Sequence, residues 1–163
     1  QGVSKTQSNT PNEEVDDRVL VLAATNLPWS IDEAARRRFV RRQYIPLPES
    51  ETRVLQIKKL MKFTKNVMFA PMADEDSEIH TVTLLAEWTQ GYSGSDITSL
   101  CKDAAMGPLR ELGDKLLFTP KNDIRPVSLV DFENSLKYIK PSVSVDGLKE
   151  YDDWARQFGS SGV

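Results

Sequence analysis

The chain is poor in the residues that build metal centres and covalent frameworks. Its 163 residues include one cysteine, Cys101, and one histidine, His80. A single cysteine excludes an internal disulfide framework and suits a reducing, intracellular compartment, cytoplasmic or nuclear. His80 has no Cys or His cluster around it, so no metal site is expected. No Ser–His–acid arrangement for nucleophilic catalysis can be assembled. The acidic run Asp74, Glu75, Asp76 and Glu78 lacks calcium-loop spacing. No apolar run approaches the roughly 20 residues of a membrane span. Charge of one sign is also scarce. Asp plus Glu number 24 against 21 Lys plus Arg, a net charge of -3, which argues against a wholly basic nucleic-acid domain but leaves room for a local basic patch. The first residues carry neither an initiator Met nor a hydrophobic targeting region, so Gln1 reads as the edge of a longer protein.

What is present is ordinary globular composition, 39% hydrophobic and 28% charged. Residues 1–18 are polar and read as a loop. The apolar run Val19 to Ala24 has the character of a strand buried on both faces, as in a parallel α/β sheet. A second strand is expected at Gln43–Leu47. Two strands are too few for such a sheet, so its remainder is expected upstream. Ser30 and Glu33 have capping-box spacing, predicting a short helix over about 32–38. After Pro48 the texture turns helical. Val54, Ile57, Leu60 and Met61 mark one helix over 50–63; a loop at 64–78 follows, and Val82, Leu85 and Trp88 mark a second helix over about 80–90. Ser93 and Asp96 open a third helix running to about Leu112, with Ile97, Leu100, Cys101, Ala104 and Ala105 inward and Pro108 as a break. Ser128 and Asp131 open a fourth, with Leu129, Phe132, Leu136 and Ile139 on its buried face. A last helix over about 145–158 presents Leu148, Tyr151, Trp154 and Phe158, with Gly159 as its cap. Trp88 and Trp154 read as core anchors.

The sharpest chemical feature is Arg36-Arg37-Arg38-Phe39-Val40-Arg41-Arg42, five arginines in seven residues. Three readings fit it: a solvated or salt-bridged face, a phosphate or nucleic-acid contact suited to guanidinium forks, or a surface turned to a partner subunit. Asn26, at the carboxyl end of the expected strand, suits either a turn cap or a side chain that orients water or touches phosphate. Gly91-Tyr92-Ser93-Gly94-Ser95-Asp96 lacks the GxxxxGK[ST] pattern and is primarily a helix start, whose N–H groups could face a nucleotide.

Taken together, Val19 to Asn26, Ile31 to Phe39 and Tyr44-Ile45-Pro46-Leu47-Pro48 resemble the carboxyl-terminal half of an AAA ATPase. Gly91 to Ile97, Lys102 to Ala105 and Pro108-Leu109-Arg110 extend the match to the meiotic clade of spastin, fidgetin, katanin and the ESCRT-disassembling ATPase. The short connection from Leu112 to Ser128 leaves no room for the β insertion of the last branch, which points to the spastin/fidgetin branch. The resemblance implies an α/β fold: the end of an AAA large domain over residues 1–48, a four-helix lid over 49–141, and a terminal helix and tail over 142–163. It implies an ATP-hydrolysing protein-remodelling machine working as a ring, a homohexamer of identical subunits, with ATP and Mg2+ as cofactors and a protein polymer or polypeptide as substrate. Microtubule severing is the spastin-like version of that action. Asn26 matches the sensor 1 asparagine that positions attacking water. Arg37 and Arg38 match paired arginine fingers acting on a neighbour's γ-phosphate, while Arg36, Arg41 and Arg42 are expected to pair with acids or support the interface. Gly94 and Ser95 match the lid positions near adenine and ribose. Walker A and Walker B residues and a pore-loop aromatic are not in this sequence, so the chain alone is expected to be inactive and to hold no tightly bound nucleotide. A competing reading is a non-enzymatic helical adaptor with an Arg-rich contact surface.

Overall fold

Helical spacing of the apolar residues after Pro48 sets the architecture. The computed structural model describes residues 20–62 and 75–160. In chain order its helices are α1 Glu33–Arg38, α2 Ser50–Lys62, α3 Glu75–Trp88, α4 Gly94–Ala105, α5 Gly107–Leu112, α6 Leu129–Leu136 and α7 Val145–Phe158, with 3-10 turns at Pro28–Ser30, Gly113–Phe118 and Lys121–Asp123. Helix α2 packs on α3 and α4, and α4 packs on α6. Their stripes meet in one core, where Ile57, Val82, Leu85, Ile97, Leu100 and Phe132 are fully buried. Each such side chain contributes roughly 1.5–3 kcal/mol by leaving water. Cys101 belongs to this core, and burial pushes its thiol up to about 12, which leaves it inert at neutral pH.

Polar side chains buried beside the core answer backbone groups that the helices leave open. Arg53 on α2 donates from Nε to the Ala86 carbonyl at 2.9 Å and from a terminal nitrogen to the Pro48 carbonyl at 2.8 Å. The Ser93–Asp96 capping box forms as its spacing predicts, and the Asp96 carboxylate also accepts from the Ser142 N–H and hydroxyl. Burial works to raise the Asp96 pKa, but the bonds from Ser93 and Ser142 outweigh it and hold the carboxyl below its usual value. Asp131 accepts a fork from Arg125 at 2.8 and 2.9 Å and the Ser128 N–H at 2.8 Å. Burial again opposes, and these bonds again win, so its pKa is lowered. Gly107 faces that carboxylate so closely that a Cβ there would overlap it. Asp103 is held low chiefly by hydrogen bonding from Arg110, then from Ser135, whose hydroxyl donates to it at 2.6 Å.

The expected α/β class is not what the chain adopts: the described residues form helices and turns, with no β-strand among them. Residues 20–25 form no strand among the described residues, and Leu20 and Leu22 are each 89% exposed. An apolar run encodes the need for flanking strands, and no described segment supplies the backbone partners. Gln43–Leu47 fails for a second reason. Pro46 and Pro48 have no N–H to give a ladder.

Smaller departures are local. Ser30 closes a 3-10 turn, and the cap of α1 is instead Asp32, whose carboxylate accepts from the Ala35 N–H at 2.6 Å. Helix α3 begins at Glu75, earlier than expected, and of the expected loop at 64–78 residues 64–74 lie outside the described residues. The long third helix divides at Met106 into α4 and α5, with Pro108 in the first turn of α5, where a missing N–H costs nothing.

Candidate functional site

Six residues make α1, and three of them are the consecutive arginines at its carboxyl end, where cations suit the helix dipole. The three meet different fates. Arg36 lays its guanidinium over the Phe158 ring, 4.8 Å from the centroid. Arg37 reaches back four residues to Glu33 at 2.5 Å, an exposed pair and therefore a weak tether. Arg38 is exposed and makes no hydrogen bond or ion pair among the described residues.

Helix α7 is brought against this segment by its aromatic face. The Tyr151 ring lies 5.1 Å from Trp29 and stacks at 6.4 Å on Tyr44, while its hydroxyl donates to the Asn26 carbonyl at 2.7 Å. Burial, and then the neighbouring carboxylate of Asp152, raise the Tyr44 pKa. Trp154 stacks obliquely on Phe158 at 5.5 Å, and its indole N–H is buried without an acceptor among the described residues. Such an orphan donor costs about 1–3 kcal/mol. At the end of α7 the chain runs alongside residue 42: Ser160 N–H donates to the Arg42 carbonyl at 2.9 Å and the Arg42 N–H to the Ser160 hydroxyl at 3.0 Å.

The five candidate residues therefore fall in two places. Asn26, Arg37 and Arg38 lie in the segment that α7 covers, with the Asn26 side chain exposed in a bend rather than at the tip of a strand. No hydrogen bond or ion pair joins Asn26 to either arginine among the described residues. Gly94 and Ser95 lie at the start of α4, where Gln56 donates to the Gly94 carbonyl at 2.7 Å. A Cβ on Gly94 would stand 3.4 Å from the Gln56 amide nitrogen, so the surface here is low and close-fitted. The capping box takes the Ser93 and Asp96 N–H groups, leaving those of Gly94 and Ser95 without a bond among the described residues. Those two N–H groups can donate to an acceptor, and no triphosphate cradle accompanies them in the sequence.

Sequence reasoning missed Trp29 and the part played by Arg42. Arg42, expected to pair with acids or support the interface, donates to carbonyls: Phe158 at 2.6 Å, Arg36 at 2.7 Å and Phe39 at 3.3 Å. The Glu33–Arg37 spacing of four was a readable signal. Nothing in the spacing announces that one of those carbonyls, that of Phe158, lies more than a hundred residues away.

Comparison with known proteins gives matches along the chain. Residues 82–125 match a model described as AAA+ lid domain, and residues 119–159 match the Vps4 C terminal oligomerisation domain. Protein SAP1 of Saccharomyces cerevisiae is 66% identical over 154 residues, covering 94% of this chain and 16% of that protein. Spastin of Nematostella vectensis is 44% identical over 147 residues, covering 90% and 23%. The crystal structure of the FIGL-1 AAA domain in complex with ADP superposes with a TM-score of 0.76 at 40% identity, covering 88% of this chain and 46% of that one. The chain thus spans about a sixth to a quarter of the length of these curated relatives. The lid match over 82–125, an arginine-rich helix held by the last helix, and this likeness along nearly the whole sequence lead to one conclusion: the chain belongs to the fidgetin- and spastin-like family of AAA ATPases.

Proposed function

We propose that this chain is the arginine-finger edge, over residues up to 48, and the helical lid, over 49–141, of a ring-forming ATPase that remodels protein substrates. The observation that carries the reading is Arg38: exposed, without a partner among the described residues, and at the end of a capped helix whose other two arginines are engaged. A guanidinium left open in this way is suited to a phosphate that the chain itself does not hold. ATP bound by an adjacent copy supplies the γ-phosphoryl group that is transferred to water. Arg38, with Arg37 beside it once released from Glu33, offsets the charge that develops on that group. Hydrolysis then depends on assembly. The Asn26 carboxamide orients the attacking water, its backbone fixed from behind by the Tyr151 hydroxyl. Gly94 and Ser95 approach the adenine and ribose edge with their unbonded N–H groups. The ADP in the related FIGL-1 AAA domain supports nucleotide use by this family member.

The test is ATP hydrolysis against protein concentration, in the longer polypeptide that joins this chain to Walker A and Walker B elements. A cooperative rise is expected. The Arg38→Ala form should lose it by about 10²-fold or more while still binding nucleotide. A flat concentration dependence, with Arg38→Ala equal to the parent, would favour a non-enzymatic adaptor that uses its arginines as a contact surface.

A further inference from the structure

The side chain of Arg42 occupies a position that its charge alone does not explain. It faces no carboxylate among its bonded partners. Its Nε donates to the Phe158 carbonyl at 2.6 Å, at the carboxyl end of α7. One terminal nitrogen donates to the Arg36 carbonyl at 2.7 Å and, less closely, to that of Phe39 at 3.3 Å, at the carboxyl end of α1. The last carbonyls of any helix lack intrahelical donors and carry the negative end of its dipole. Arg42 therefore satisfies two such ends at once, on helices more than a hundred residues apart in sequence. Its backbone is pinned at the same place by the reciprocal pair with Ser160. Arg36, one residue before the candidate fingers, adds the stacked contact to Phe158 from the α1 side.

From this we infer that Arg42 is a positioning residue: it bolts the end of the finger helix to the end of α7, so that Arg38 is presented to a neighbouring copy only while α7 is docked. The inference rests on the finger reading above and deepens it. The chemistry needs arginine. A planar fork sends separate N–H groups in two fixed directions, whereas a lysine ammonium is a single compact centre on a flexible stem. A helix of six residues has no means of holding its own carboxyl end, since helices this short are marginal alone. The direction in which Arg38 leaves α1 is therefore set from outside, and Arg42 is the side chain that touches the α1 carbonyls.

Two measurements test this together. Amide hydrogen exchange on the full 163-residue chain should show Phe39 and Gly159, whose N–H groups close the ends of α1 and α7, exchanging faster in both Arg42→Ala and Arg42→Lys, while the core of α4 is unchanged. In the assembled longer polypeptide, Arg42→Ala should lower kcat by about tenfold or more, with the KM for ATP within about twofold. Arg42→Lys, which keeps the charge, should fail to restore it. Faster exchange at both helix ends with kcat unaltered would overturn the positioning role and leave only a structural one. Unchanged exchange in Arg42→Ala, or full activity of Arg42→Lys, would overturn the bolt itself. Should Arg38→Ala hydrolyse ATP normally, the finger reading fails first, and this inference falls with it. That failure is told apart because exchange in the Arg42 variants still reports on the bolt.

Discussion

Around Phe132, side chains from α2, α3, α4 and α6 have left water completely, and each buried polar group beside them has a bonded partner. Around Tyr151 the situation differs. No residue of α1 or α7 is fully buried, and the contacts are stacked rings, one guanidinium fork and hydrogen bonds to carbonyls. One buried donor, the Trp154 indole N–H, is left unanswered there among the described residues. The lid is held by area removed from water, which is non-directional and strong in sum. The docked edge is held by a few directional contacts, each worth about 0.5–3 kcal/mol. The first suits a rigid body, and the second an edge whose orientation a few contacts set.

The largest blow to this contrast should come from Phe132→Ala. Truncating a fully buried phenylalanine costs about 3–5 kcal/mol. Denaturant unfolding followed through the lid should show that loss. Equal stability of variant and parent would mean that the lid core is not where the fold is held. Acid should come next. Asp96 and Asp103 on α4 and Asp131 on α6 all have folded pKa values below the unfolded ones. Their contribution is complete above the ordinary carboxylate value near 4 and is lost as pH falls through the lowered values. Unfolding midpoints measured from pH 6 downward should therefore drop below about pH 4; in Asp131→Asn the drop should be smaller, from a lower start. The smallest effect belongs to the edge. Tyr151→Phe removes one exposed hydrogen bond to Asn26 and keeps both ring contacts, so it should cost under about 1 kcal/mol. It should speed amide exchange in α7 without touching α4. A global loss of stability instead would erase the distinction between the two regions.

Much of the lid was legible in the sequence because its signals are periodic and local. Ile57, Leu85, Leu100 and Phe132 sit on stripes that their spacing alone reveals, and Ser93–Asp96 is a helix start within four residues. The edge was legible in chemistry but not in structure. The arginine run stood out, yet an apolar stretch such as Leu20–Ala24 states only what it would bury, not whether partners are at hand. Likewise the aromatic face of α7 was visible, but its target was not. Stacking of Tyr151 on Trp29 and Tyr44 pairs residues separated by most of the chain, and hydrophobic periodicity carries no address.

The two regions meet at Tyr44-Ile45-Pro46-Leu47-Pro48. Tyr44 is held on one side by Tyr151, and the Pro48 carbonyl is held on the other by Arg53. Between these anchors every residue is a proline or precedes one. Proline fixes its own φ and drives the residue before it to extended backbone. The connection is thus a strut about 12 Å long at polyproline rise, not a swivel. A stiff arm transmits displacement at one end to the other nearly undiminished, so a shift of the Arg53 anchor is carried to Tyr44 rather than absorbed between them.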